Sequence, residues 1–417
     1  MTKTTLQVFL GDKPSPIGTL IHEYHGNREH SSFKYSNDWL EAPEAFAIAP
    51  SLVFNDQWKF FSGKRPFPSP FHDTMPEGWG KKVILHGGHN DKINNLYYLL
   101  TVSDSFRVGA LRLGQSDGIF LADNEIQDSP KISDITQILY MSKNIEAKNY
   151  DVKIPDNFIS AFCSLGGAQP KCSIIDNEGS PAILKLGSIP DDLPYVQAEA
   201  ATLNLAQNCG MDIARGSIIS EKNLPAALLL KRFDRYEGKR IPYISAQTFL
   251  DAPSADSSAA YTDLADAIRI HCISPITNLK ELFKRIAFNI LVCNTDDHLK
   301  NHGFLYSNHG KWTLSPAFDI NPRPLRERKL KTPIASLDDH SASIDLLMEY
   351  AFAFDLEKDQ AAKITQDMAK VIKDNWKEEL KSTGMNEGNV KAFEGAFIHQ
   401  ESKIALKVKS RSIISPT

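Results

Sequence analysis

The chain has 417 residues, 42% of them hydrophobic and 24% charged, with a net charge of −4. That length exceeds one ordinary core and predicts two or three domains or lobes, and the small negative charge gives no global basic field for nucleic acid or anionic lipid. Five scattered cysteines (Cys163, Cys172, Cys209, Cys272, Cys293) form no C-x-x-C pair and no run reaches eighteen apolar residues, which points to a reduced cytoplasmic protein and away from a disulfide scaffold, a zinc site or a membrane span.

In chain order, Leu6–Leu10 reads as a strand closed by Gly11-Asp12-Lys13-Pro14, and Phe46–Ala49 as another. Residues 60–80, crowded with Pro, Gly and aromatics, read as a structured loop over a core. Lys81–Leu85 and Asn94–Leu100 read as helices, and Val108–Leu113 returns to strand. The polar stretch 122–131 is the first expected boundary. Ile135, Ile138 and Leu139 then carry helical spacing. Lys171–Asp176 and Pro181–Leu186 are strands joined by Asp176-Asn177-Glu178-Gly179, a hairpin turn. Val196–Gln207 is a helix with Gly210 just past its end. Beyond residue 236 the pattern turns mainly helical, and Leu282, Phe283, Ile286, Ile290 and Leu291 form one apolar stripe. The expected division is 1–122, β-rich; 123–236, mixed; and 237–417, helical.

That stripe leads into Asn294-Thr295-Asp296-Asp297-His298-Leu299-Lys300-Asn301, followed by Leu314-Ser315-Pro316-Ala317-Phe318-Asp319-Ile320. An Asp followed five residues later by an Asn, with a second Asp on a later turn, is the spacing protein kinases use. One carboxylate takes the proton of an attacking hydroxyl, and two further oxygens hold magnesium against phosphates. Asp, Asn and His also gather in ordinary turns, so the loop alone leaves both readings open. Upstream, Ser164-Leu165-Gly166-Gly167-Ala168-Gln169-Pro170-Lys171 offers small residues that let backbone N–H groups approach phosphate, although it is no Walker loop and a tight turn would look the same. Lys185 lies inside an apolar strand, where an ammonium needs an anion or an edge at which to snorkel. Glu199, on the next helix, is a candidate partner. Leu228–Arg235 runs from a buried strand into a charged corner. His298-x-x-x-His302 lacks the Glu of a zinc-protease motif. Arg323, Arg326, Arg328, Lys329 and Lys331 form a basic run suited to an acidic partner or simply to solvent.

Together S-L-G-G-A-Q-P-K (164–171), A-I-L-K-L (182–186), L-L-K-R-F-D-R (229–235), N-T-D-D-H-L-K-N (294–301) and L-S-P-A-F-D-I (314–320) resemble the HipA family of bacterial serine/threonine kinases, toxins of HipA–HipB toxin–antitoxin pairs. Pro76-Glu77-Gly78-Trp79 and Arg107–Arg112 are similar to the family's N-terminal region. The resemblance implies an α+β, bilobal, protein-kinase-like fold with an added N-terminal β-rich subdomain and an all-helical C-terminal lobe. It implies ATP and Mg²⁺ as cofactors, with Asp296 catalytic and Asn301 and Asp319 on the metal. Gly166, Gly167, Ala168 and Lys185 would meet ATP phosphates, and His298 would sit near the nucleotide. Lys231 and Phe233 would give hinge backbone contacts, Asp234 would reach the ribose, and Ser164 would be the autophosphorylation site. The implied partners are a HipB-like DNA-binding antitoxin and a translation-related protein substrate, such as an aminoacyl-tRNA synthetase. Nucleic acid would be met only through the antitoxin. The rival readings are a small-molecule kinase of similar layout and a catalytically silent co-repressor.

Overall fold

A computed structural model of the chain describes residues 2–13, 15–26, 28–88, 93–115, 118–122, 129–220, 224–256, 258–324 and 328–408. Most of the boundary stretch 122–131 and Arg326 of the basic run lie outside these residues. The chain divides into two compact units. The first holds Met1–Asp191, Ile219–Ile244 and Leu305–Gly310, and the second holds Asp192–Ile218, Ser245–Phe304 and Lys311–Thr417.

The first unit begins with strands β1 (Thr2–Leu10), β2 (Gly18–His25), β3 (Arg28–Tyr35), β4 (Lys59–Ser62) and β5 (Leu111–Gly114), an antiparallel sheet in the order β4-β3-β2-β1-β5. Register pairs Leu6 with Leu20 and Leu20 with Phe33. One apolar row thus faces one side, as period-2 alternation requires. Phe46–Ala49, expected as a strand, joins no ladder. Its backbone is satisfied by side chains instead: Trp39 Nε1 donates to the Phe46 carbonyl (3.2 Å) and Ile48 N–H donates to Tyr35 Oη (3.0 Å).

The longer helices described in this unit are α1 (Gly78–His86), α2 (Asn95–Thr101), α3 (Ile135–Glu146) and α4 (Asp156–Phe162). They cover a second antiparallel set, β6 (Lys171–Ile175), β7 (Pro181–Leu186) and β8 (Ala227–Lys231), in which β7 pairs with both others. The expected hairpin turn is present, with Asp176 Oδ1 accepting the N–H groups of Glu178 and Ser180. Trp79, Val83 and Ile84 of α1 share one core with Ile138, Phe158, Phe162, Cys172, Ile174, Leu184 and Leu186. Each such large side chain stabilises by ~1.5–3 kcal/mol when buried. The core therefore takes residues from both sides of the boundary expected at residue 122.

The second unit is built on α5 (Tyr195–Asn208), α6 (Tyr261–His271), α7 (Pro275–Leu291) and α8 (Lys358–Ser382). Helix α5 packs against α8; Ala198, Ala201 and Leu205 are buried on the first and Met368, Ala369 and Ile372 on the second. Residues 192–218 belong to this second unit. The region after 236 is helical apart from short strands, among them Gly303–Asn308 and Lys311–Leu314.

Candidate functional site

Helix α7 buries its whole predicted stripe, from Leu282 to Leu291. It ends in a Schellman motif. Asn294 N–H bonds the Asn289 carbonyl (2.8 Å), Cys293 N–H bonds that of Ile290 (3.4 Å), and Cys293 adopts φ 54°. Helix α5 ends the same way with Gly210 at the left-handed position (φ 70°). A cysteine there costs roughly 1 kcal/mol that glycine would not. It has a use, since Cys293 Sγ accepts from Arg328 Nε (2.9 Å).

The loop thus launched separates its two carboxylates. Asp296 keeps 48% of its side chain exposed and, among the described residues, pairs with Arg323 Nη2 at 3.2 Å. Asp297 is buried and accepts from Tyr261 Oη of α6, Asn289 Nδ2 of α7 (2.8 Å) and His302 Nε2 (2.7 Å). Burial acts to raise the Asp297 pKa, but the His302 charge and the His302 and Tyr261 hydrogen bonds outweigh it and hold the carboxyl below its ordinary value. Burial, then Asp297 itself, push the Tyr261 phenol well above the usual range. The Thr295 and Asp297 carbonyls accept from Lys331 and Thr332 N–H (3.1 and 3.2 Å), which ties the downstream segment to the loop. A buried hub therefore presents Asp296 outward.

Asn301 is buried in the short 3₁₀ turn Leu299–Asn301, and its Nδ2 leans toward the Asp296 carbonyl at 3.4 Å. His298 stands at the N-cap of that turn, and its buried Nδ1 has no hydrogen-bond partner among the described residues. Asp319 takes a left-handed backbone (φ 60°), and Asn321 Nδ2 donates to its Oδ1 (3.1 Å). Such strain marks a position the surroundings must enforce. Here the enforcers are the exchanged bonds of Ala317 with Asp212 and Ala214 (2.8 Å each) and the bond from Thr202 Oγ1 of α5 to the Ile320 carbonyl (2.6 Å). Among the described residues no group of three His, Cys, Asp or Glu is arranged for a metal.

The first unit carries the other predicted residues. Ser164 is buried, donating from Oγ to the Ala161 carbonyl (2.8 Å) and sharing a 2.7 Å bond with Ser173 Oγ. Gly166 and Ala168 are exposed, and Gly167 is half-buried. Gly167 has φ 92°, a conformation closed to other residues, and Lys171 Nζ bonds the Gly166 carbonyl (2.8 Å). Lys171 on β6 lies opposite Lys185 on β7 in the ladder, and Lys185 is buried. Lys231 ends β8 opposite Ala182, with its exposed Nζ on Glu178 (2.9 Å). Phe233 is half-buried, its ring 6.1 Å from that of Tyr243.

Asp234, expected at the ribose, lies just past the end of β8. It is buried, and Arg232 (Nε 2.7 Å), Arg235 Nη1 (3.0 Å) and Gly109 N–H (2.7 Å) occupy its oxygens. Burial acts to raise its pKa, but the charges of Arg232 and Arg235 and the hydrogen bonds of Arg232 and Gly109 hold it far below the carboxylate range. Arg232 and Arg235 also bond the Phe106 and Arg107 carbonyls, so Asp234 anchors the 106–109 turn to the end of β8.

Sequence reasoning missed Asn289, Tyr261 and Asn321, and gave Asp297 and Arg323 no role beside Asp296. Asn289 carried a usable signal, an amide set among the buried residues of an apolar helix.

The fold is α+β and of the kinase-like class. The chain belongs to the HipA family: residues 163–376 match the HipA-like C-terminal domain and residues 6–114 the HipA N-terminal domain. Its fold is similar to that of Shewanella oneidensis MR-1 HipA, solved in a toxin–antitoxin complex with HipB and operator DNA, with TM-score 0.67 and 17% identity over 96% of both chains. A Sinorhizobium fredii protein named "Putative kinase Y4mE" is 26% identical over 73% of this chain and 74% of its own. A Haemophilus influenzae protein named "Putative kinase" is 24% identical over 43% of this chain, a match spanning 60% of that relative.

Proposed function

We propose that this protein transfers the γ-phosphoryl group of Mg-ATP to a serine or threonine hydroxyl of a protein, as the toxin of a toxin–antitoxin pair. The observation that carries this reading is the split between the adjacent carboxylates, with Asp297 locked in a buried hub and Asp296 held outward beside Asn301. Asp296 would accept the proton of the attacking hydroxyl while the new O–P bond forms and the bond to the ADP oxygen breaks. Magnesium takes one or two protein oxygens and fills its shell with water and phosphate. The Asn301 Oδ1 and the Asp319 carboxylate are donors of that kind, and the ion would neutralise charge on the phosphates.

Gly166, Gly167 and Ala168 would offer backbone N–H groups to phosphate, with Lys185 as the charged grip. His298, whose Nδ1 has no partner among the described residues, would meet a polar group of the nucleotide. Lys231 and Phe233 would bracket adenine through their backbone. Ser164 would be the autophosphorylation site, and its burial implies that the loop must move before it is modified. The likeness to a HipA bound to HipB and operator DNA supports a HipB-like antitoxin as partner, with DNA met through it. A translation-related substrate, such as an aminoacyl-tRNA synthetase, and a cytoplasmic setting complete the reading. No helix among the described residues is long and apolar enough to cross a membrane.

The test is Asp296→Asn with labelled ATP and a cell extract. Loss of a general base lowers transfer by about 10²–10⁴-fold, with the unfolding curve unchanged. A folded variant that still labels protein at the parent rate rules out this role for Asp296.

A further inference from the structure

The motif Pro76-Glu77-Gly78-Trp79 has no part in the chemistry above, yet it meets the glycine loop at several points. Trp79 N–H donates to the Gly167 carbonyl (2.9 Å). The Trp79 indole is fully buried, and its Nε1–H donates to the Lys171 carbonyl (2.9 Å), at the far end of the same loop. A Cβ on Gly78 would lie 2.7 Å from the Gly167 carbonyl oxygen and 2.9 Å from Ala168 Cα. Only glycine permits that approach without moving the loop. Lys171 Nζ, bonded to the Gly166 carbonyl, closes the loop from inside.

We propose that Gly78 and Trp79 form a latch that holds residues 164–171 in their phosphate-accepting shape, which makes Trp79 a positioning residue for nucleotide binding. This rests on the reading of that loop as the phosphate cradle. The physical logic is that the loop contributes backbone groups, and backbone groups bind well only when prearranged. Two tryptophan hydrogen bonds, one at the apex and one at the exit, fix both ends. The latch residues lie about ninety positions upstream, on the first turn of α1, so the N-terminal region takes a direct part in shaping the loop.

The experiment uses the full chain and two variants. Trp79→Phe keeps an aromatic ring but removes the Nε1–H donor. Gly78→Ala leaves Trp79 intact but wedges the contact at an exposed position. Hydrogen–deuterium exchange at 164–171 is read alongside Mg-ATP titration and steady-state kinetics. The loss of one hydrogen bond of this kind changes an equilibrium by up to about tenfold. Exchange at 164–171 should therefore quicken up to about tenfold, and Mg-ATP affinity should weaken by a similar factor. Exchange in β7 should stay as in the parent, and turnover at saturating Mg-ATP should return to the parent value. A merely structural role would lower turnover together with affinity and quicken exchange throughout the core. Unchanged exchange at 164–171 in both variants overturns the latch. Faster loop exchange in a protein whose parent form binds no Mg-ATP upholds the latch and overturns the phosphate-cradle reading instead.

Discussion

Adjacent carboxylates with opposite fates make a sharp test. Replacing Asp297 by Ala removes one acceptor from three buried donors, Tyr261 Oη, Asn289 Nδ2 and His302 Nε2. A buried donor left unpaired costs ~1–3 kcal/mol, and members of one network do not add fully. The net loss is then ~3–5 kcal/mol, a large share of the ~5–15 kcal/mol that holds an ordinary fold together. Replacing Asp296, half exposed and paired with Arg323 near the surface, should change stability by less than ~0.5 kcal/mol. Urea unfolding followed by circular dichroism reads both variants. With a slope of about 3 kcal/mol per molar, the Asp297→Ala midpoint falls by at least roughly 1 M. The Asp296→Asn midpoint stays in place. A midpoint for Asp297→Ala within about 0.2 M of the parent would refute the hub, because no arrangement of three orphaned buried donors is that cheap.

Two further outcomes follow from charges elsewhere. Asp234→Asn leaves the buried Arg232 and Arg235 without their counter-charge and should cost ~3–5 kcal/mol in thermal or urea unfolding at neutral pH. The parent should keep this contribution above the ordinary carboxylate range and lose it only in strong acid, since the folded carboxyl is held far below that range. Burial lowers the His399 pKa from 6.5 to about 4, with Nε2 donating to the Leu291 carbonyl. The unfolded imidazole binds a proton below pH ~6.5 that the folded one refuses, so stability is full above that value. It falls by up to ~3 kcal/mol as pH drops toward 4. His399→Gln should flatten unfolding free energy across that window, and an undiminished slope would place the acid sensitivity elsewhere.

The elements that were legible had local causes. The hairpin turn at Asp176 could be read because its side chain satisfies the turn's own N–H groups, and the stripe of α7 because burial follows helical period. The Asp296–Asn301 loop stood out because its polar residues keep fixed spacing after that stripe. What stayed hidden depended on distant partners. Nothing in Asp296-Asp297 says which carboxylate faces inward, since Tyr261 and His302 decide it. Phe46–Ala49 has the composition of a strand, but Tyr35 and Trp39 supply its hydrogen bonds. Cys293 lacks the glycine signal of a helix end, because its sulfur is wanted by Arg328. Asp234 read as an accessible acid after a strand, and two arginines take it inside. A polar stretch near residue 122 carries no sign that one core draws residues from both sides of it.

That common core constrains how the chain can be cut or recombined. A fragment starting after residue 122 would expose Phe162, Leu184 and Leu186 where Trp79 and Val83 had covered them, and the discarded piece would carry the opposite faces into water. Neither half would be expected to stay soluble alone. An expression fragment, a gene fusion or an exchange between relatives therefore has to carry α1 together with the β6–β7 hairpin, or replace both at once.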